Sequence, residues 1–331
     1  MVDNLTFRLF QPDDIEGILR LWNDDSGWGG ITEEQFYKWY IDTPYGECLI
    51  SVALDEKNRI VGQEVFTPTR IYVDGKEKKA LRLSAPILTK EFREQMGKAA
   101  HPSIQMFRVG LNAAVECGYS VIYAFPVPGW LRYIRLVAPQ IGVDSRKFVF
   151  AEPDCYALSL KSFANGNCKI TADIEISFAS VFNDSYDNLW QSAKNEFPIN
   201  CAIVRSSGWI KWKLGSHCVF EVRRRENKEL LGYAAIKRQT GLLVDALART
   251  PQDLETTITA IIKALAESED LRNQANVEEI KVMETESLAS VIQKLGFERE
   301  KFKFAFWCYS IDESVPIQSL EPSRWYLMPK D

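Results

Sequence analysis

Residues 85–125 read APILTKEFREQMGKAAHPSIQMFRVGLNAAVECGYSVIYAF, and this stretch decides the fold of the first half of the chain. The apolar start, Ala85–Thr89, predicts a strand, and the polar, glycine-containing segment Arg93–Ala100 predicts a loop. A helix opens at Pro102 and ends at Gly118, because proline suits the first helical turn and glycine the residue after a helix. Tyr119–Phe125 is almost entirely apolar, which is typical of a strand buried on both faces.

The segments before this stretch extend the same sheet and place helices beside it. Phe7–Phe10 predicts a strand, and apolar residues from Ile15 to Trp22 recur at helical spacing. Thr32 and Gln35 form a capping box that opens a second helix. Apolar and β-branched runs between residues 48 and 88 predict strands, with Asp74-Gly75 as a hairpin turn.

The second half repeats this order of elements. Leu242–Ala248 predicts a strand, Pro251 opens a helix, and Val277–Met283 and Phe297–Tyr309 predict two more strands. Three short segments also return at nearly constant spacing: Leu21-Trp22 as Leu189-Trp190, Phe36–Trp39 as Trp209–Trp212, and Ile60-Val61-Gly62 as Leu230-Leu231-Gly232. Repeats in the same order predict a duplicated domain.

Length supports two domains, since 331 residues exceed one typical domain. The predicted class is α+β, with two tandem domains that each contain a twisted mixed sheet flanked by helices. The predicted boundaries are 1–164 for the first domain, 165–187 for a polar linker, 188–310 for the second domain and 311–331 for an extended tail that packs on the body.

Composition excludes several classes of function. A net charge of −5 argues against a partner recognised through overall basicity, such as nucleic acid. Seven cysteines without a C-x-x-C pair and only two histidines argue against a disulfide framework and a metal site. The N-terminus has no signal-peptide pattern, and no apolar run is long enough for a membrane span. These features predict a reduced, cytoplasmic protein without metal, nucleic acid or membrane partners, and they leave the oligomeric state open.

The pattern resembles the GNAT superfamily of acyl-CoA-dependent N-acyltransferases, and specifically its tandem two-domain members. The segments that carry the resemblance span nearly the whole chain and are Phe7–Asp14, Leu21-Trp22, Trp39, Ile60–Gly62, Thr89–Arg93, Gly118–Pro126, Ile141-Gly142, Leu231–Tyr233 and Gln293–Glu298.

The resemblance implies a site for acetyl-CoA or another acyl-CoA in the first half. The family binds the CoA diphosphate on a loop written Q/R-x-x-G-x-G/A, where backbone N–H groups and a helix N-terminus hold the anion. The corresponding stretch here is Arg93–Ala99, with Gly97 and Ala99 in the glycine positions and Arg93 four residues before Gly97. The predicted cofactor-binding residues are Leu88, Thr89, Arg93, Gln95, Gly97, Lys98 and Ala99. The second half has no such glycine before Pro251 and is expected to have lost CoA binding.

The family reaction is direct attack of an amine on the acyl thioester, and it needs a base, an oxyanion donor and an acid. Glu64 is the candidate base, and a backbone N–H at Leu88 or Thr89 the candidate donor. The family's acid is often a tyrosine four residues before the glycine of an L-G-F segment, but Ala138 and Ile292 stand at those positions here. Tyr133 and Tyr123 are therefore the candidate acids, and each has a packing role as its alternative. Trp28, which lies between glycines, is the candidate substrate-binding residue.

The sequence thus predicts an N-acyltransferase that moves an acyl group, acetyl in the first instance, from acyl-CoA to a small-molecule amine such as an amino sugar or amino acid. The alternative is a non-catalytic protein that keeps the fold for ligand binding or scaffolding. A third reading is aminoacyl transfer from a charged tRNA, against which the acidic net charge argues.

Overall fold

The computed structural model describes residues 4–93, 101–141, 143–163, 173–197 and 199–331. The strands, in chain order, are β1 (Thr6–Leu9), β2 (Leu49–Leu54), β3 (Ile60–Val73), β4 (Lys76–Leu88), β5 (Val121–Ala124), β6 (Phe148–Ala151), β7 (Asp154–Ser159), β8 (Ile174–Phe178), β9 (Cys201–Ile203), β10 (Cys218–Arg224), β11 (Leu230–Ile236), β12 (Leu243–Ala248), β13 (Glu279–Met283), β14 (Glu298–Lys303), β15 (Phe306–Ser310) and β16 (Trp325–Tyr326).

The α-helices, in chain order, are α1 (Ile15–Asp25), α2 (Glu33–Phe36), α3 (Lys90–Arg93), α4 (Pro102–Glu116), α5 (Gly129–Val137), α6 (Leu160–Phe163), α7 (Asp184–Glu196), α8 (Ser207–Leu214), α9 (Pro251–Glu267), α10 (Glu269–Ala275) and α11 (Ala289–Leu295). A π-helical turn, Tyr37–Ile41, follows α2. Within the described ranges, no helix combines the length and the apolar character that crossing a bilayer requires.

The chain divides into two compact units that are each discontinuous in sequence. The first unit comprises residues 1–71, 76–151 and 305–318, and the second comprises residues 72–75, 152–304 and 319–331. The predicted boundaries described contiguous segments, whereas here the chain leaves the first unit and returns to it at β15.

The first unit contains a mixed sheet with the strand order β1-β2-β3-β4-β5-β15-β6. The β1–β2, β2–β3, β5–β15 and β15–β6 pairs are antiparallel, and β4 pairs with β5 in parallel. The hairpin between β3 and β4 turns at Asp74 and Gly75, which have φ angles of 45° and 83°, as a two-residue hairpin turn requires.

Helices cover both faces of this sheet because its side chains alternate between them. Ile50, Val52 and Leu54 of β2 pack with apolar residues of α1 and α2, whereas Ala53 of the same strand packs with Met106 of α4. The predicted capping box opens α2: the Gln35 N–H donates to Thr32 Oγ1 at 3.2 Å, and the Thr32 N–H donates to Gln35 Oε1 at 2.9 Å.

The second unit contains two antiparallel sheets, with the orders β12-β11-β10-β8 and β13-β7-β14. An isolated parallel bridge between Leu242 and Lys281 connects them. Helix α9 packs against β11, and its apolar face is buried. The segment predicted as a linker includes β8, whose polar residues alternate with apolar ones as expected of a strand that is buried on one face only.

A buried ionic cluster lies inside the second unit. The Arg205 guanidinium, which has no solvent exposure, donates from Nε to Asp245 Oδ1 at 3.0 Å and from Nη2 to Asp331 Oδ1 at 2.6 Å. The Tyr233 hydroxyl donates to Asp245 Oδ2 at 2.6 Å. Burial raises the pKa of Asp245 and raises that of Asp331 to about 7, while the arginine charge acts in the opposite direction. One cation therefore faces two carboxyl groups where almost no surface is exposed to solvent.

One predicted strand is divided between the units. Phe297–Tyr309 was expected as a single long strand, but β14 pairs with β7 in the second unit and β15 pairs with β5 and β6 in the first. The residues of β14 are exposed and those of β15 are buried. The two strands differ in composition as well as in burial, since β14 is mostly charged and β15 is mostly apolar.

Candidate functional site

The parallel pair β4–β5 separates partway along its length. Its register covers Ala80–Val121, Leu81–Ile122 and Arg82–Tyr123, after which β4 continues to Leu88 without pairing to β5. A cavity opens at this point, and every β4 residue from Arg82 to Leu88 lines it.

The backbone of β4 is irregular beside the cavity. Ala85 has a φ angle of 46°, a left-handed conformation that costs an alanine roughly 1–2 kcal/mol. Pro86 follows it and has no N–H to donate to a neighbouring strand. The Gln63 side chain donates from Nε2 to the Ala85 carbonyl at 3.4 Å. This distortion ends regular strand geometry where β4 borders the cavity.

The cavity has a volume of about 540 Å³, which lies within the range of pockets for small molecules. All of its lining residues belong to the first unit. The lining is mainly apolar, and its aromatic members are Trp28, Phe107, Phe125, Trp130, Tyr133, Phe148 and Trp307.

Glu64 is a buried carboxyl group in this apolar wall. It lies on β3, its residue is only 3% exposed, and its Oε2 atom has no hydrogen-bond partner among the described residues. Burial raises the pKa of Glu64 well above its ordinary value. When such a carboxyl is ionised, its raised pKa makes it a stronger base toward a ligand in the cavity than an exposed carboxylate is.

His101 and Tyr133 lie together at the start of α4. The His101 Nδ1 atom is 2.6 Å from Ser103 Oγ, and the ring meets that of Tyr133 edge to face at 6.0 Å between centroids. Burial lowers the pKa of His101, with the Phe92 carbonyl acting in the opposite direction. A neutral imidazole therefore lines the cavity beside a phenol.

A polar mouth of the cavity is formed by the end of α1 and the segment after it. Trp28 is 63% exposed there, and its ring packs on Trp22 at 5.8 Å. Arg93 Nη2 donates to the Asp25 carbonyl at 2.6 Å and to the Leu88 carbonyl at 2.9 Å. These bonds hold the guanidinium at the point where β4 passes into α3.

The structure brings together five of the predicted site residues, since Trp28, Glu64, Leu88, Arg93 and Tyr133 all line the cavity. Two others lie elsewhere. Tyr123 is fully buried within the sheet and does not line the cavity. The Thr89 N–H already donates to the Val61 carbonyl at 2.9 Å, which narrows the candidate oxyanion donor to Leu88. Gln95, Gly97, Lys98 and Ala99 fall outside the described residues.

Several lining residues were not anticipated, among them Arg82, His101, Phe148 and Trp307. His101 had a local signal, because a polar residue directly before Pro102 is a helix cap, and its side chain indeed accepts from the Ser103 N–H. Trp307 had no such local signal, because it reaches the cavity only through the pairing of β15 with β5.

The start of α9 in the second unit has the same local features as the start of α4, since each helix begins with a proline after a residue whose side chain accepts a backbone N–H. Thr250 Oγ1 accepts from the Asp253 N–H at 3.1 Å, and Pro251 contributes no N–H. The two helix starts therefore do not distinguish the halves, and the prediction that the second half has lost CoA binding rests on the missing glycine loop before Pro251.

No protein-family model matches the sequence, and a search of curated proteins also gives no match. Solved structures do match. A probable N-acyltransferase from Enterococcus faecalis V583, a conserved protein of unknown function, aligns with a TM-score of 0.63 at 12% identity over 91% of this chain and 71% of its own.

Two further structures extend the comparison. N-myristoyltransferase from Saccharomyces cerevisiae with bound myristoyl-CoA aligns with a TM-score of 0.58 at 10% identity, over 93% of this chain and 79% of its own. A tandem GNAT protein from the clavulanic acid biosynthesis pathway aligns with a TM-score of 0.56 at 14% identity, over 92% and 98%. Similarity at this level of identity shows the fold, and it confirms the prediction of a tandem GNAT architecture with a mixed sheet flanked by helices.

Proposed function

We propose that this chain, with its GNAT fold, is an N-acyltransferase that moves an acyl group from acyl-CoA to the amine of a small molecule. The observation that carries the proposal is the opening between β4 and β5, which leads into a cavity with the Glu64 carboxyl in its wall, whose Oε2 atom has no hydrogen-bond partner among the described residues. A thioester and an amine need such a site: apolar, sheltered from water and supplied with one strong base.

The carboxylate of Glu64 takes the proton that the amine loses as its nitrogen bonds to the thioester carbon. The carbon–sulfur bond breaks, and the Tyr133 hydroxyl donates a proton to the departing thiolate. The products are an amide and free CoA thiol, and the proton held by Glu64 returns to Tyr133 or to water. The Leu88 N–H is the proposed donor to the carbonyl oxygen while charge develops on it.

The residues around the opening suit a CoA substrate. Helix α4 has fifteen residues, and its N-terminus at Pro102 favours an anion such as the CoA diphosphate. Arg93, fixed beside Leu88, adds a positive charge near the same end of β4. Gln95, Gly97, Lys98 and Ala99 remain the proposed loop donors. Trp28 at the mouth is proposed to pack against the acceptor.

Isothermal titration with acetyl-CoA and octanoyl-CoA tests cofactor binding directly. Turnover is then followed as amine-dependent release of free thiol across a panel of amino sugars, amino acids and simple alkyl and aryl amines. We expect micromolar binding of at least one acyl-CoA and thiol release with at least one amine.

Two conservative variants and a control locate the chemistry. Glu64→Gln is expected to keep acyl-CoA binding and to lower kcat about 10²–10⁴-fold, and Tyr133→Phe to lower kcat with a change in the alkaline limb of the pH profile. Glu116→Gln makes the same chemical change at an exposed position of α4 and should leave both measurements unchanged. Failure of every acyl-CoA to bind would overturn the proposal in favour of a non-catalytic GNAT-fold protein.

A further inference from the structure

The deep end of the cavity is an apolar chamber that adjoins the point where β4 and β5 separate. We define it by Phe107, Ala124, Ile134, Val137, Ala138, Phe148 and Trp307, all of which line the cavity. Ala124 directly follows Tyr123, the last β5 residue that pairs with β4. On the other side of β5, Ala124 pairs with Trp307 of β15.

Aromatic rings form the walls of the chamber. The Trp307 ring lies 6.1 Å from that of Phe107 and 5.6 Å from that of Phe148, measured between centroids. Val137 and Ala138 at the end of α5 close another side, and both are buried. The chamber itself contributes no charged side chain, so an occupant gains by being apolar.

The charged and polar lining residues lie outside this set of seven, and one of them, Arg82, borders the chamber where β4 and β5 stop pairing. Asp25, Ser26 and Arg93 lie at the mouth with the exposed Trp28. Glu64 lies on β3, on the sheet face that α4 covers. A hydrophilic acceptor such as an amino sugar therefore finds its hydrogen-bond partners near the mouth and not in the chamber.

We infer that the chamber holds the acyl chain, and that the preferred substrate is an acyl-CoA with a chain considerably longer than acetyl. The inference rests on the proposed function. In the proposed binding mode, the diphosphate lies at the N-terminus of α4 and the thioester lies between β4 and β5. The acyl group then extends toward the point where these two strands separate. The chamber adjoins this point, and an acetyl group there would leave the space between its seven lining residues unfilled.

The expected gain in affinity follows from the transfer of methylene groups out of water. Each methylene that becomes fully buried improves the dissociation constant about fourfold. Octanoyl has six methylenes more than acetyl, and burial of only half of them gives roughly sixtyfold tighter binding.

Isothermal titration with acetyl-CoA, butyryl-CoA and octanoyl-CoA measures this dependence without requiring turnover. We expect octanoyl-CoA to bind more than about tenfold tighter than acetyl-CoA. The variant Ala138→Leu narrows the chamber and should remove most of this difference while leaving the dissociation constant for acetyl-CoA within about twofold. Ala289→Leu, the same substitution at an exposed position of α11, should change neither value.

A second variant enlarges the chamber instead of narrowing it, and it provides an independent test if Ala138→Leu does not fold. Ile134→Ala widens the chamber and should shift the tightest binding toward a longer chain than in the wild type. Equal dissociation constants for acetyl-CoA and octanoyl-CoA, or a preference for octanoyl-CoA that neither variant alters, would overturn the inference and leave the proposed function standing. Failure of all three acyl-CoAs to bind would instead remove both.

Discussion

Glu64 should make the protein less stable as the pH rises, and replacing it with glutamine should remove this effect. The side chain is buried and its Oε2 atom has no partner among the described residues, so ionisation in the folded state is costly. Burial accordingly raises its pKa well above the ordinary value. The unfolded chain holds glutamate at a pKa of about 4.3.

The sign follows from the number of protons that each state binds. Between the unfolded and folded pKa values of Glu64, the folded protein holds one more proton than the unfolded chain. The free energy of unfolding therefore falls by about 1.4 kcal/mol for each pH unit across this interval. The contribution is complete below the unfolded pKa and is lost as the pH rises through the folded pKa.

The measurement is urea unfolding of wild type and Glu64→Gln at pH steps from 4.5 to 8. The variant should gain stability relative to the wild type as the pH rises, at up to about 1.4 kcal/mol per unit. Carbon-13 labelling of glutamate carboxyls gives the folded pKa directly, since the Glu64 signal is absent from the variant. A stability difference that stays constant over this range, or a Glu64 pKa near its ordinary value, would refute the reasoning about both burial and proton acceptance.

Three further predictions concern packing and buried charge, each tested by urea or thermal unfolding. Arg205→Met leaves the Asp245 and Asp331 carboxyls facing each other without their cation and should cost about 3–5 kcal/mol at neutral pH, with a smaller cost in acid. The folded pKa of Asp331 is raised to about 7, so its contribution to stability is present below pH 4 and is lost as the pH rises through 7. Asp331→Asn should therefore flatten the dependence of the unfolding free energy on pH between these values. Gly110→Ala places a methyl group 2.0 Å from a ring carbon of Phe66 and should destabilise by about 1–3 kcal/mol; an unchanged melting temperature would contradict the close packing of α4 on β3.

The elements of the fold that depend on residues close together in the chain could be predicted from the sequence. Thr32 caps one helix and Pro251 opens another as expected, and the Asp74-Gly75 turn joins two strands. The apolar stretch Tyr119–Phe125 contains β5, which is buried throughout. In each case a side chain or backbone angle within a few residues determines the outcome.

Features that depend on pairing between strands far apart in the chain could not be predicted from the sequence. Periodicity could not indicate that β14 and β15 join different sheets, because only two residues separate them and their pairing partners lie far away in the chain. For the same reason Trp307 could not be assigned to the cavity. Glu64 was recognisable as a carboxyl on a strand, but its burial depends on α4, which is forty residues away in the sequence.

The insertion of β15 between β5 and β6 has a consequence for synthesis on the ribosome. The sheet of the first unit remains incomplete until residues 306–310 have emerged, about 150 residues after β6. At the usual rate of translation, this interval lasts on the order of ten to thirty seconds. Throughout that time β5 and β6 present unpaired backbone edges, which are sites of aggregation. The nascent chain is thus expected to need protection by chaperones at these two strands, and the N-terminal 164 residues expressed alone would carry the same vulnerability permanently.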